Sequence, residues 1–158
     1  MSTKQTTINK SISLQGVGIH TGNEVTLTFN PAVENTGYLF KRIDLPGQPE
    51  IEALSKYVID TQRGTTLEKD GVKLKTVEHV LAALVGLEID NVLIHIDSEE
   101  PPIMDGSSKF FVEALEKSGI KELSQNRSEY IVKNVLTYKD DETGSEITVI
   151  PSDKYEVT

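Results

Sequence analysis

Alternation of apolar and polar positions dominates the first third of the chain. Ile12 and Leu14 alternate with Ser11 and Ser13, and Val25, Leu27 and Phe29 alternate with Thr26 and Thr28. Period-two patterning of this kind marks half-buried strands. The G-V-G-I-H-T-G-N segment between them predicts a hairpin or close strand pair. Turn formers fill residues 30–37, Tyr38 to Asp44 reads as a further strand, and Ile51 to Tyr57 as a short helix. Asp70-Gly71, flanked by Leu67 and by Val72 and Leu74, is a strong tight-turn signal. It predicts a small projecting hairpin near 61–75, with T-Q-R-G (Thr61–Gly64) at its base.

The period then changes to that of a helix. Val77, Val80, Leu81, Leu84 and Val85 form an i, i+3, i+4, i+7, i+8 stripe. Thr76 is the expected N-cap and Gly86 the expected left-handed C-cap. At about 100° per residue, His79, Ala82 and Ala83 fall opposite the stripe, with Glu78 on its flank. An ordinary surface helix would carry Lys or Glu there. Two alanines beside a Glu-His pair suggest a face that another body approaches closely. A strand follows, with Val92, Ile94 and Ile96 on one side and Leu93 and His95 on the other.

E-E-P-P-I-M-D-G-S-S reads as a rigid loop whose Asp105, Ser107 or Ser108 caps a second helix. That helix, to about Lys117, is expected to turn Phe110, Phe111, Ala114 and Leu115 inward and to pair Glu113 with Lys117. Ser118-Gly119 stops it. Residues Lys121–Glu129 are polar and unpatterned, and read as a linker. Beyond it, Tyr130 to Tyr138 and Ile147 to Ile150 are strand-like around the turn D-D-E-T-G-S. Two or three strands cannot bury a core of their own, so a fragment of a longer polypeptide is expected. The division is 1–124, a linker at 125–129, and 130–158 as the start of a second, truncated domain.

Composition narrows the function classes. The 25 acidic residues outnumber the 16 basic ones, for a net charge of −9, without blocks of one sign. No basic face is offered to nucleic acid. Cysteine is absent, which removes thiolate metal sites and cysteine nucleophiles. No signal peptide and no membrane-spanning run are visible. A cytoplasmic protein with a small-molecule or protein partner is the expectation.

Glu78 and His79 are the candidate chemistry. The positive end of the helix dipole favours a carboxylate at Glu78 and a neutral imidazole at His79. Those are the forms required of a general base and of a metal ligand. An E-H dipeptide is not H-E-x-x-H, however, and Glu in a first turn is also common capping chemistry. His20, in the glycine-bearing loop, reads as a turn histidine or a site-lining one, and His95 as a sheet histidine. A self-contained metal site built from His20, His79 and His95 is a further alternative.

Three separated motifs carry a resemblance: G-V-G-I-H-T-G at 16–22, T-V-E-H-V-L-A-A-L-V-G-L-E-I-D-N at 76–91 and P-I-M-D-G-S-S at 102–108. Together they resemble the zinc-dependent UDP-3-O-acyl-N-acetylglucosamine deacetylases of lipid A biosynthesis, over residues 5–158. The resemblance implies an α+β fold. Its expected form is a two-layer sandwich of a mainly antiparallel sheet with helices on one face, the first of two similar domains. It makes His79 a zinc ligand and Glu78 the general base acting on the attacking water. The T-Q-R-G segment matches an insert whose backbone approaches substrate, which makes Arg63 and Gly64 candidate substrate-binding residues, with His20 a further candidate near the cleft.

The family's further zinc ligands, in an H-K-x-x-x-D motif, and a later histidine have no counterpart here. Those ligands and the acyl-chain passage belong to the family's second domain, and its active site lies between the two. This chain alone is therefore expected to be inactive, to hold Zn2+ weakly and to self-associate. The competing expectation is a non-catalytic scaffold or interaction domain of the same fold, in which Glu78-His79 is only a helix cap.

Overall fold

The computed structural model describes residues 3–157, which fall into two compact units divided after Asn126. In chain order the first unit holds β1 (Lys4–Ile8), β2 (Ile12–Val17), β3 (Glu24–Pro31), β4 (Tyr38–Arg42) and β5 (Glu50–Glu52). A 3-10 turn at Ser55–Tyr57 leads to β6 (Val58–Asp60), β7 (Thr66–Lys69) and β8 (Val72–Leu74). Then come α1 (Glu78–Gly86), β9 (Val92–Ile96), α2 (Lys109–Ser118) and β10 (Ile120–Asn126). The second unit holds β11 (Leu136–Lys139) and β12 (Glu146–Val149).

The main sheet has the order β2-β3-β9-β4-β5. All neighbours are antiparallel except β4 and β9, which run parallel. The alternation read in the sequence decides which face is covered. Val25, Leu27 and Phe29 on β3 are fully or almost fully buried, as are Phe40 on β4 and Val92, Ile94 and Ile96 on β9. They share one core with Val80, Ala83 and Leu84 of α1 and with Phe111 and Leu115 of α2. Phe29 meets Phe111 edge to face, with ring centroids 6.4 Å apart. The architecture is thus α+β, a mixed sheet with two helices on one face. Among the described residues no helix is long and apolar enough to cross a membrane.

Several local expectations change. The segment from Ile51 to Tyr57 is not a helix but the end of β5 followed by the 3-10 turn. The expected hairpin near 61–75 is larger, a three-stranded sheet β6-β7-β8 beginning at Val58. Its Asp70-Gly71 turn does form, with φ of 51° and 79°. Residues 121–126, read as linker, form β10 and pair antiparallel with β1. The pattern was unreadable because β10 is largely exposed and its side chains face no core.

The α1 stripe is rotated from its expected position. Ala83 is buried and Val85 is exposed, because the small alanine lets the helix backbone approach the sheet. Gly86 ends the helix without a left-handed φ; Glu88, at φ 55°, makes the turn instead. On α2, Phe110 is 38% exposed rather than inward, and Glu113 pairs with Lys109 at 3.9 Å instead of with Lys117. The helix start is tied by Ser107, whose Oγ accepts the Lys109 N–H at 3.2 Å.

The second unit is a hairpin. Thr137 and Thr148 bond across it at 3.0 Å, and Asp140 organises the turn by accepting from Thr143 and from the Glu142 N–H. Every residue of β11 and β12 is exposed, including Leu136, Tyr138, Ile147 and Val149.

Candidate functional site

Glu78 and His79 are the first two residues of α1, and both are half-buried. Thr76 is not the cap: it precedes the helix at φ 54°, Val77 takes the N-cap position, and neither hydroxyl nor carboxylate caps through its side chain. Glu78 instead turns back to the residue that follows the T-Q-R-G segment, its Oε2 accepting the Thr65 N–H at 2.9 Å. Bonding to a neighbouring loop distinguishes Glu78 from a simple capping residue, whose partner would be its own first turn.

Gly64 packs against Glu78 and Thr76, and its backbone rather than its contacts calls for glycine. A Cβ there would stand 3.4 Å from Glu78 Oε1 and 3.3 Å from Thr76 Oγ1. Its φ of 156° lies in a region reserved almost wholly to glycine. Arg63 precedes it at φ 61°, exposed at the tip of the β6–β7 connection. The structure therefore gathers Gly64, Thr65 and Glu78.

Thr76 leads to a residue that the sequence reading missed. Its hydroxyl donates to Glu100 Oε1 at 3.0 Å, and Glu100 is fully buried. Glu100 Oε2 accepts the backbone N–H of His20 at 3.0 Å and of Thr21 at 2.9 Å, and the Thr21 hydroxyl at 3.0 Å. These donors outweigh the effect of burial and hold the carboxyl below the ordinary glutamate range. A Cβ on Gly18 would collide with the Glu100 carboxylate and with Thr21 Oγ1. That close approach explains one glycine of the G-V-G-I-H-T-G loop. His20 itself is exposed, and only its backbone joins this network.

His95 is on the wrong side for a three-histidine site. It alternates with Ile94 and Ile96, which face the helices, and so points to the opposite face of the sheet from α1. Its register partner there is Lys41. Desolvation first, and Lys41 second, lower its pKa from the ordinary 6.5. A proton NMR titration is expected to give His95 a midpoint below that value. Among the described residues no group of three or more His, Cys, Asp or Glu side chains could hold a metal. An open concavity of about 440 Å³, edged by Glu24, Asp44, Asp97 and Glu99, contains neither Glu78 nor His79.

Residues 5–158 match the family model LpxC, UDP-3-O-acyl N-acetylglycosamine deacetylase. The chain belongs to this deacetylase family. It is 48% identical over 152 residues to a bifunctional enzyme LpxC/FabZ of Bacteroides thetaiotaomicron, covering 96% of this chain and 33% of that relative. A second LpxC/FabZ enzyme, from Chlorobaculum tepidum, is 45% identical over 98% of this chain and 33% of its own length. A UDP-3-O-acyl-N-acetylglucosamine deacetylase of Idiomarina loihiensis is 43% identical over 98% of this chain and 50% of its own. The chain thus spans a third to a half of the length of these relatives.

The three family motifs meet in the fold. The Ile103 N–H donates to the Val17 carbonyl at 2.9 Å, joining 102–108 to 16–22. Glu100 then joins the 16–22 loop to the lead-in of α1.

Proposed function

We propose that this chain is the N-terminal part of a zinc-dependent deacetylase. The complete protein would remove the N-acetyl group of UDP-3-O-acyl-N-acetylglucosamine in lipid A biosynthesis. The observation that carries this reading is the Glu78-His79 pair opening α1, with Glu78 held at the glycine loop by Thr65 in a member of this family. His79 supplies one zinc ligand, and a catalytic zinc site takes three from protein with one position open. His79 fits that role as a half-buried imidazole at the start of α1, and among the described residues no group of three or more such ligands is gathered.

When bound, zinc supplies a Lewis acid for the amide carbonyl and a water ionised near neutral pH. Glu78 takes the proton of the attacking water as its oxygen bonds to the acetyl carbon. The proton passes to the departing nitrogen as the C–N bond breaks, leaving acetate and a free amine. Arg63, Gly64 and His20 are the proposed substrate contacts.

The second unit is the opening of a second, similar domain in this reading, with the passage between the two beginning after β10, at residue 127. Its two strands leave Leu136, Tyr138, Ile147 and Val149 in solvent, and a lone hairpin is marginal in water. Further strands and helices of a longer chain would cover them.

Zinc stoichiometry, chelator competition and acetate release test the reading together. The chain of residues 1–158 is expected to lose zinc to a weak chelator and to release no acetate. A protein extended to the length of the relatives should retain one zinc and release acetate from the UDP-sugar. One tightly held zinc on the short chain, or an extended protein inert with zinc bound, would overturn it.

A further inference from the structure

Glu100 is a fully buried carboxylate that the proposed chemistry does not use. Among the described residues every hydrogen bond of its carboxylate comes from a donor: two backbone N–H groups, from His20 and Thr21, and two hydroxyls, from Thr21 and Thr76. An ionised carboxylate accepts at both oxygens and donates nothing, so it satisfies all four groups at once. The segments it joins are distant in sequence. Beside it, Lys75 runs along Glu99, with a backbone bond of 2.8 Å and an ion pair of 2.7 Å. The α1 lead-in is thereby laid against residues 99–100.

From Thr76 the connection continues to the proposed base. Thr76 Oγ1 and Cα line the space over Gly64, and the Val77 N–H donates to the Thr65 carbonyl at 3.4 Å. The Thr65 N–H in turn holds Glu78. Thr76 sits at φ 54°, a left-handed conformation uncommon for a β-branched residue, and its hydroxyl bond to Glu100 holds it there.

We propose that Glu100 is a positioning residue, which through Thr76 fixes the Thr65–Glu78 hydrogen bond and ties it to the His20 loop. Its catalytic meaning rests on the deacetylase reading above, whereas the coupling itself does not.

Amide hydrogen exchange on this chain, followed by NMR, tests the coupling without any activity assay. Glu100→Gln keeps the side chain's size but places an amide donor among donors. The Thr65, His20 and Thr21 amides are expected to speed up at least about 10-fold more than Leu27 and Ile94 in the central strands, whose exchange reports the loss of overall stability. Thr76→Val replaces the hydroxyl with a methyl group and keeps the branched shape. It should release Thr65 while leaving His20 and Thr21 protected, and Thr76→Ser should restore Thr65. Unchanged Thr65 protection in Glu100→Gln and Thr76→Val would overturn the proposal. So would a uniform loss that includes Leu27 and Ile94, which is the signature of a merely stabilising residue.

Discussion

Glu78→Gln, in a protein extended beyond residue 158, is expected to lower deacetylation by roughly 10²–10⁴-fold, the range for a lost general acid–base group. The fold should be unaffected. Glutamine keeps a side-chain carbonyl that can accept the Thr65 N–H now bonded to Glu78 at 2.9 Å. What it loses is the capacity to take a proton from water. The loss should therefore fall on kcat, with KM nearly unchanged and an unaltered thermal transition. Acetate release at saturating and limiting substrate separates the two parameters. Full turnover in the variant would reduce Glu78 to a structural group and favour the scaffold reading of this fold.

Glu100→Ala is expected to be the most destabilising single change around the site, at about 2–4 kcal/mol at neutral pH. Each buried donor left without an acceptor costs about 1–3 kcal/mol. Four donors lose their acceptor at once, and the loop around His20 recovers part of the loss by opening to water. The effect has a pH signature. The folded carboxyl titrates below the unfolded value of 4.5, so its contribution is complete above that value. It shrinks as pH falls through the folded pKa. Urea unfolding at pH 7 and below pH 4 should show the gap between wild type and Glu100→Ala narrowing in acid. A gap that widens in acid would contradict the assignment.

The β-rich first half was legible because its strands alternate cleanly and one face is wholly covered. Val25, Leu27 and Phe29 announce themselves by spacing alone. The Asp70-Gly71 turn was equally plain, since few dipeptides adopt two successive positive φ values readily. On α1, spacing placed the helix but not its rotation. Hydrophobicity ranks Val85 above Ala83, whereas packing preferred the smaller residue where helix meets sheet. Thr76 had the right chemistry for a cap and was used otherwise, because an acceptor 24 residues away claims its hydroxyl.

Glu100 was illegible for a related reason. In sequence it is one of two acidic residues before two prolines, indistinguishable from a solvated loop. Its burial depends on segments around 20 and 76 converging on it, and no local pattern encodes that. The nearest local sign was Gly18, whose hydrogen side chain leaves the space the carboxylate occupies. The parallel pairing of β4 with β9 was likewise invisible, because both strands read the same in either direction.

The antiparallel clasp of β1 with β10 imposes an order on assembly. Its register matches Lys4 with Asn126 and Ile8 with Ile120, so the two partners leave the ribosome at opposite ends of the unit's synthesis. β1 emerges early and meets its ladder partner only after the sheet, both helices and the site motifs have been translated. Closure of the unit is thus a long-range, late event, and long-range pairing is intrinsically slow. A nascent chain paused before residue 120 would present β1 without that partner, open to a chaperone or to the same strand of a neighbouring nascent chain.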